Sequence, residues 1–377
     1  MAVAVILASV LWTADGDRVL RGTNIAPDMV VARVQTTGLA YSTALRTALK
    51  ASRADPGNLP LAKAAARATI HEGRDAGDGR MVGAALGILR PFLAAPDSQT
   101  LYLAATARQY QHDFPGALAL LDRALELDPA DVNTRLSRAT IHTVLGQFDL
   151  AMQDCGLIRD GQGVGFLCQS TALLLTDQAP EVAKRLAVIV AQPDLLDPSL
   201  QPWAIGLMAE IAQLSGDHAA ARKLFAQVLV LSPGSQREQL ILADLMLQDG
   251  MADQVAPLLA DSPATDGVLI RRVLAARATG GDDRADVAEL AKRVQLNLDL
   301  GLTAHAREEG QYFLKIAGDP VQALARAEVN WALQHEYDDA RLLIDAAVAA
   351  GQPAAAQPVR DWMAVQRVTA PALSDKP

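Results

Sequence analysis

The residues with the most obvious chemical potential are Cys155 and Cys168, the only cysteines in a chain of 377 residues. Two thiols with no CxxC or HxxxH nearby cannot complete a tetrahedral zinc set, so no metal site is expected. They read either as a disulfide or as two buried free thiols at core positions. A disulfide would close a short loop and add about 3 kcal/mol by restricting the unfolded chain, and it would need an oxidising compartment. Between them, Asp160 to Gly165 (DGQGVG) has a superficial likeness to a phosphate-binding glycine loop. That chemistry needs a buried strand before the loop and a lysine or acid after it, whereas the preceding AMQDCGLIRD reads as helix. The loop is therefore expected to link two helices. Six histidines, His71, His112, His142, His218, His305 and His335, are dispersed along the chain rather than clustered. No serine, threonine or cysteine has a readable base and orienter, so no catalytic residue and no cofactor are assigned. Asp282, Asp283 and Asp286 read as carboxylates at a helix N-terminus, and Glu308 with Glu309 as a solvated face.

Charge narrows the partners. The net charge is −9, with 34 lysines and arginines and no basic run, which excludes an ordinary nucleic-acid surface. A basic or neutral partner fits better, and the same charge helps to keep the chain soluble. Half of the residues are hydrophobic but only 4% are aromatic, a composition suited to small-residue helix packing with almost no sheet.

Turn residues recur at Gly79, His112, Gly146, Asp177, Gly216, Gly250, Gly281, Gly318 and Gly351, with steps averaging about 34 residues. Pro96, Pro129 and Pro233 each fall seventeen residues after the turn of their own repeat, where a helix must stop. Around these turns, one unit places Ala105, Ala117, Leu121, Ala124 and Pro129 at close helix contacts and the helix stop, and another repeats the arrangement with Met208, Ala209, Gly216, Asp217, Ala221, Phe225 and Pro233. These residues resemble the tetratricopeptide pattern, in which small residues occupy the eighth and twentieth positions and glycine the fifteenth. The chain is similar to a group of uncharacterised bacterial tetratricopeptide proteins that share its C-terminal block and paired cysteines. The resemblance implies an all-α fold, a right-handed α-solenoid of about nine antiparallel helix pairs with no sheet. It implies no activity.

Three segments are expected. Residues 1–30 hold an apolar run, Ala2 to Trp12, and an irregular lead-in; 31–366 form the solenoid; 367–377 form a disordered tail. The apolar run has the length of a secretory h-region and is too short to span a bilayer, so no integral membrane span is expected. It lacks a preceding basic residue and a clean cleavage site, leaving export to the bacterial periplasm and a docked terminal helix in a cytoplasmic protein both open.

In arrays of this kind the first helix of each pair faces a concave groove. Counted from the turns, the groove positions are Gln99, Tyr102, Thr106 and Gln109; Asn133, Leu136, Thr140 and Thr143; and Trp203, Glu210 and Gln213. Amides and hydroxyls with two aromatics suit an extended peptide or a partner helix. Lysines and arginines placed to clamp an acidic tail are not evident. The reading is a non-enzymatic scaffold for a partner protein or peptide, with a cytoplasmic regulatory module that changes curvature on binding as the alternative. Because Ala221 falls at a close helix contact, Ala221→Glu is expected to uncouple the two halves of the array. Hydrogen exchange checks this: protection should fall on both sides of residue 221.

Overall fold

The computed structural model describes residues 41–374, apart from 77, 160–162 and 193–195. By contact the chain divides into residues 1–43, of which only 41–43 are described, and residues 44–377. The apolar run and the 1–30 lead-in lie outside the described residues.

The first helix, α1 (Thr43–Ala54), ends at the DPGN turn, where Asn58 accepts from the Leu61 amide and caps the next helix. Nine pairs follow. They are α2 (Leu59–Asp75) with α3 (Gly79–Leu89), α4 (Ser98–Tyr110) with α5 (Phe114–Leu127), and α6 (Val132–Val144) with α7 (Phe148–Leu157). Next come α8 (Val164–Leu173) with α9 (Ala179–Ala191), α10 (Gln201–Leu214) with α11 (His218–Leu231), and α12 (Gln236–Gln248) with the short α13 (Val255–Leu258). The last are α14 (Asp266–Thr279) with α15 (Arg284–Asp299), α16 (Ala306–Tyr312) with α17 (Pro320–Trp331), and α18 (Tyr337–Ala349) with α19 (Gln357–Gln366). A single turn, α20 (Pro371–Ser374), closes the described chain. Among the described residues the only β pairing is an isolated antiparallel bridge, Thr176 to Val368.

One turn geometry makes most of the pairs. A residue with positive φ ends the first helix: His112, Gly146, Gly216, Gly250, Gly280, Gly318 and Gly351, with φ between 59° and 83°. The following amide reaches back five residues to a helical carbonyl, as in Gln147 to His142 at 2.8 Å, Asp217 to Ala212 at 2.9 Å and Gln352 to Ala347 at 2.8 Å. This bond satisfies a carbonyl that the helix end would leave orphaned. Where the next residue is aspartate, it also caps the second helix: Asp113 accepts from Gly116, Asp217 from Ala220 and Asp319 from Gln322. At the end of α16 a π-helical turn, Phe313–Ala317, adds a residue, and the closing bond runs from Asp319 to Phe313. Three expected turn positions differ. Gly79 opens α3, since Asp78 is already its cap; the left-handed residue near 280 is Gly280 rather than Gly281; and Asp177 lies in a connection with no left-handed residue. Alanines sit where helices approach: Ala105, Ala117, Ala124 and Ala221 are at most 1% exposed.

The C-terminal helices return to the middle of the array. The His335 amide donates to the Val144 carbonyl at 2.7 Å, and its Nδ1–H donates to the Leu145 carbonyl at 2.8 Å. Trp362 donates to the Gly146 carbonyl at 3.4 Å and meets Phe148 edge-on. Thr369 donates to Leu175 at 2.9 Å beside the Thr176–Val368 bridge. The stretch from residue 367, expected as a disordered tail, is thus ordered through Ser374, because Val368, Ala370 and Leu373 are buried in the core around Phe148, Trp331 and Leu343. Apolar surface that can be covered outweighs the lack of helical period in this stretch.

Gly146 is constrained twice, by a φ of +67° and by the Trp362 Nε1 atom 2.2 Å from where a Cβ would stand. Gly318 has a similar φ of +70° with open space around it. Both alanine variants should lose about 1 kcal/mol to the left-handed backbone, and Gly146→Ala about 1–3 kcal/mol more for displacing Trp362. Urea unfolding of the two variants against wild type measures the difference.

Candidate inner-wall binding site

The first helices of successive pairs touch one another: α2 with α4, α4 with α6, α6 with α8, α8 with α10, and α12, α14, α16 and α18 in turn. The second helices make no comparable contacts. The row packed more closely is the inside of the curve, so the first helices form a concave inner wall.

The count that gave Tyr102, Thr106 and Gln109 before His112 continues into the later repeats. Before Gly250 it gives Arg237 and Asp244; before Gly318, His305, Glu308, Tyr312 and Lys315; before Gly351, Asp338, Arg341 and Asp345. The structure gathers these with Arg271 and Arg307 into one charged wall. Arg237 pairs with Glu210 at 2.8 Å and Arg271 with Asp244 at 2.5 Å. Arg307 binds Asp339 through two nitrogens, at 2.6 and 2.9 Å, and Glu336 at 2.5 Å. Asn330 adds a bond to Asp339 at 2.7 Å, and Asp339 accepts from the Glu336 amide at 2.8 Å.

This wall is open to solvent as well as crowded. The Arg237 side chain is 57% exposed and Glu336 40% exposed, yet Glu336 feels Arg307, Arg237 and His112, which come from three separate repeats. Burial works against its carboxylate, but Arg307 and Arg237 outweigh it and hold its pKa below the usual value. Burial likewise opposes the Arg307 charge, and Asp339 and Glu336 overcome it, raising its pKa. Lys315 is different: it keeps solvent exposure, yet the surrounding wall desolvates it and pushes its pKa down, while Asp244 and Asp338 pull against Arg271 and Arg341. It sits in the π-helical turn, a distortion that often marks functional positions.

The residues expected to line the groove are only partly brought together. Tyr102 and Thr106 share a concavity of about 350 Å³ with α2. Gln109 and Gln213 are half-buried, and Gln99 and Asn133 are exposed. Leu136 packs against the core around Cys155 and Cys168. The hydroxyls of Thr106, Thr140 and Thr143 donate to carbonyls of their own helices, leaving only lone pairs for a ligand. Trp203 is not a free anchor, since its Nε1 donates to Thr171 at 3.1 Å and its ring packs in the core. Glu210 is engaged by Arg237. Glu309, read from sequence as solvated, is 1% exposed and paired with Arg326 at 2.6 Å; burial raises its pKa. Its turn of helix faces α17 rather than solvent.

Cys155 on α7 and Cys168 on α8 form a disulfide with Cα atoms 5.4 Å apart. Residues 160–162 of the glycine loop lie outside the described residues, and α7 precedes it. Asp283 stands at the start of α15 without a capping bond and pairs with Arg277 at 2.7 Å, while Asp282 pairs with Arg284 and Asp286 with Arg272. Among the described residues no three histidine, cysteine or acidic side chains are grouped to hold a metal, and no helix is long and apolar enough to cross a membrane.

The helix pairing, the turn register and the inner wall define a helical-repeat array with a tetratricopeptide-like fold. No protein-family model matches the chain. Over 196 residues, 46% of this chain, it is 28% identical to human tetratricopeptide repeat protein 21A, of whose length the match spans 15%. It is similar to a tetratricopeptide repeat protein structure from Parabacteroides merdae at 13% identity, covering 76% of this chain and 98% of that one, with a TM-score of 0.38. It is also similar to the Cut9–Hcn1 hetero-tetramer of the APC/C at 14% identity, covering 86% and 69%, with a TM-score of 0.41.

His112 takes the place of a turn glycine with φ 59°, and its Nδ1 is buried with no partner among the described residues. Burial lowers its pKa, so the ring is neutral in the fold and binds a proton more readily once unfolded. The unfolded state then gains protons first as pH falls below the ordinary histidine value, and stability drops with it. His112→Asn, which tolerates positive φ, should lose less stability than wild type between pH 7.5 and pH 5.5, as measured by urea unfolding at both values.

Proposed function

We propose that the protein is a non-enzymatic scaffold that holds a segment of a partner protein against its inner wall, and that the C-terminal half of the wall selects a basic segment. The observation that carries this reading is the charge balance of α10 to α18. Five cations, Arg237, Arg271, Arg307, Lys315 and Arg341, meet eight carboxylates, Glu210, Glu238, Asp244, Glu308, Glu336, Asp338, Asp339 and Asp345, which leaves a negative surplus. Four of the cations have a carboxylate within 4 Å. Glu308 and Asp338 have no ion-pair partner among the described residues, and Asp338 is exposed. Unpaired carboxylates on a concave wall raise the local concentration of cations and steer basic groups toward it.

In this reading the protein works in an oxidising compartment, the bacterial periplasm, during assembly or trafficking of its partner. The Cys155–Cys168 pairing and the apolar run Ala2 to Trp12 support that location.

Affinity capture of the tagged full-length protein tests the reading, beside a Glu308→Lys, Asp338→Lys variant. A discrete protein retained by wild type and reduced about tenfold or more by the double reversal is the expected result; equal retention removes the acidic wall as the recognition surface. In the same native material both cysteines should resist alkylation until a reductant is added.

A further inference from the structure

The N-terminal end of the wall has the opposite character. Arg67, His71 and Arg74 lie four and three residues apart on α2, which puts them on one helix face. They stand twelve, eight and five residues before the start of α3, the places that Tyr102, Thr106 and Gln109 hold before the start of α5. The three therefore belong to the inner wall. Together with Tyr102 and Thr106 they line the concavity of about 350 Å³ between α2 and α4.

Arg237, Arg271, Arg307 and Arg341, farther along the wall, each have a carboxylate within 4 Å. Arg67 and Arg74 have none among the described residues. One acid reaches this concavity, Asp75, and His71 engages it at 3.0 Å. The two guanidinium groups thus keep their donors for something outside the fold. Thr106 already gives its proton to the Tyr102 carbonyl and offers only lone pairs, while the Tyr102 phenol has no hydrogen-bond partner among the described residues and can donate. Beneath them Ile70 and Leu103 are about 5% exposed and make an apolar floor.

We propose that this concavity is an anion-binding subsite that takes a carboxylate or phosphate group carried by the bound segment. Guanidinium forks match both groups with paired hydrogen bonds. The volume is at the small end of ligand pockets, enough for one side chain or terminal group and too little for a length of peptide. The subsite rests on the scaffold reading and adds a direction to it: an anionic group at the α2–α4 end and a basic stretch toward α16–α18. It stands against the expectation that lysines and arginines placed to clamp an acidic tail are not evident. That expectation overlooked the inner face of α2.

Isothermal titration of the full-length protein at low salt, with inorganic phosphate and with an end-blocked tetra-aspartate peptide as separate probes, tests the subsite. One saturable site is expected for at least one probe. Arg67→Ala and Arg74→Ala should each weaken it about tenfold or more, and Arg67→Lys should fall between, keeping charge without the fork. Arg90→Ala, an exposed arginine outside the concavity, should bind as wild type does. Binding of phosphate alone identifies a phosphate source and binding of the peptide alone a carboxylate, and either supports the subsite. Absence of saturable binding by both probes, or equal affinity in Arg67→Ala and Arg74→Ala variants whose circular dichroism matches wild type, overturns it. The probes need no partner protein, so this result is independent of the capture experiment.

Discussion

The structure depends on one short segment, Gln334 to Glu336, between α17 and α18. His335 spends its amide and its ring N–H on the carbonyls of Val144 and Leu145 at the end of α6. Glu336, the next residue, faces Arg307, Arg237 and His112. A solenoid normally gains stability only between neighbours, but here residues about 190 positions apart are joined. The backbone bonds fix where the late repeats sit against the early ones. The Glu336 charge then fixes which side chains share the wall. A pair of bonds worth about 1 kcal/mol each thereby determines a surface that no single repeat contains.

Much of the fold was legible because its cause is local. A left-handed turn residue and a following cap act within six residues, so His112–Asp113, Gly216–Asp217 and Gly318–Asp319 announce themselves in sequence. Misplacements arose where the local signal was doubled or absent: Gly280 and Gly281 are adjacent candidates, and the α8–α9 connection uses Thr176 to bridge Val368 instead of a glycine turn. The ordered C-terminus was not legible. Val368, Ala370 and Leu373 lack helical period, and their burial depends on Phe148 and Leu175, about two hundred residues or more away.

The site was half legible. The positional count was carried only through α10, and there it stopped short of the charged repeats. Continued to Gly318 and Gly351, the same count reaches Glu308, Lys315, Asp338 and Arg341. What no count supplies is which charges meet. Glu308 and Glu309 are adjacent in sequence, but one reaches the wall and the other is sealed against Arg326. Trp203 failed as an anchor for a similar reason: its register is that of the wall, and its ring is drawn into the core by Thr171.

The disulfide acquires its meaning from the closure. Phe148 and Gly146, at the start of α7, receive Trp362; Leu175 and Thr176, just beyond α8, receive Thr369 and Val368. Cys155 and Cys168 join α7 to α8 between these two landing points, across a thirteen-residue separation that includes a glycine-rich loop. Glycines make that loop costly to order, and the two helices would otherwise be tied only by packing around Ala151, Ile158 and Ala172. A covalent link at a Cα separation of 5.4 Å restricts their relative freedom. That restriction lowers the entropy cost of aligning the surface that receives the C-terminal helices.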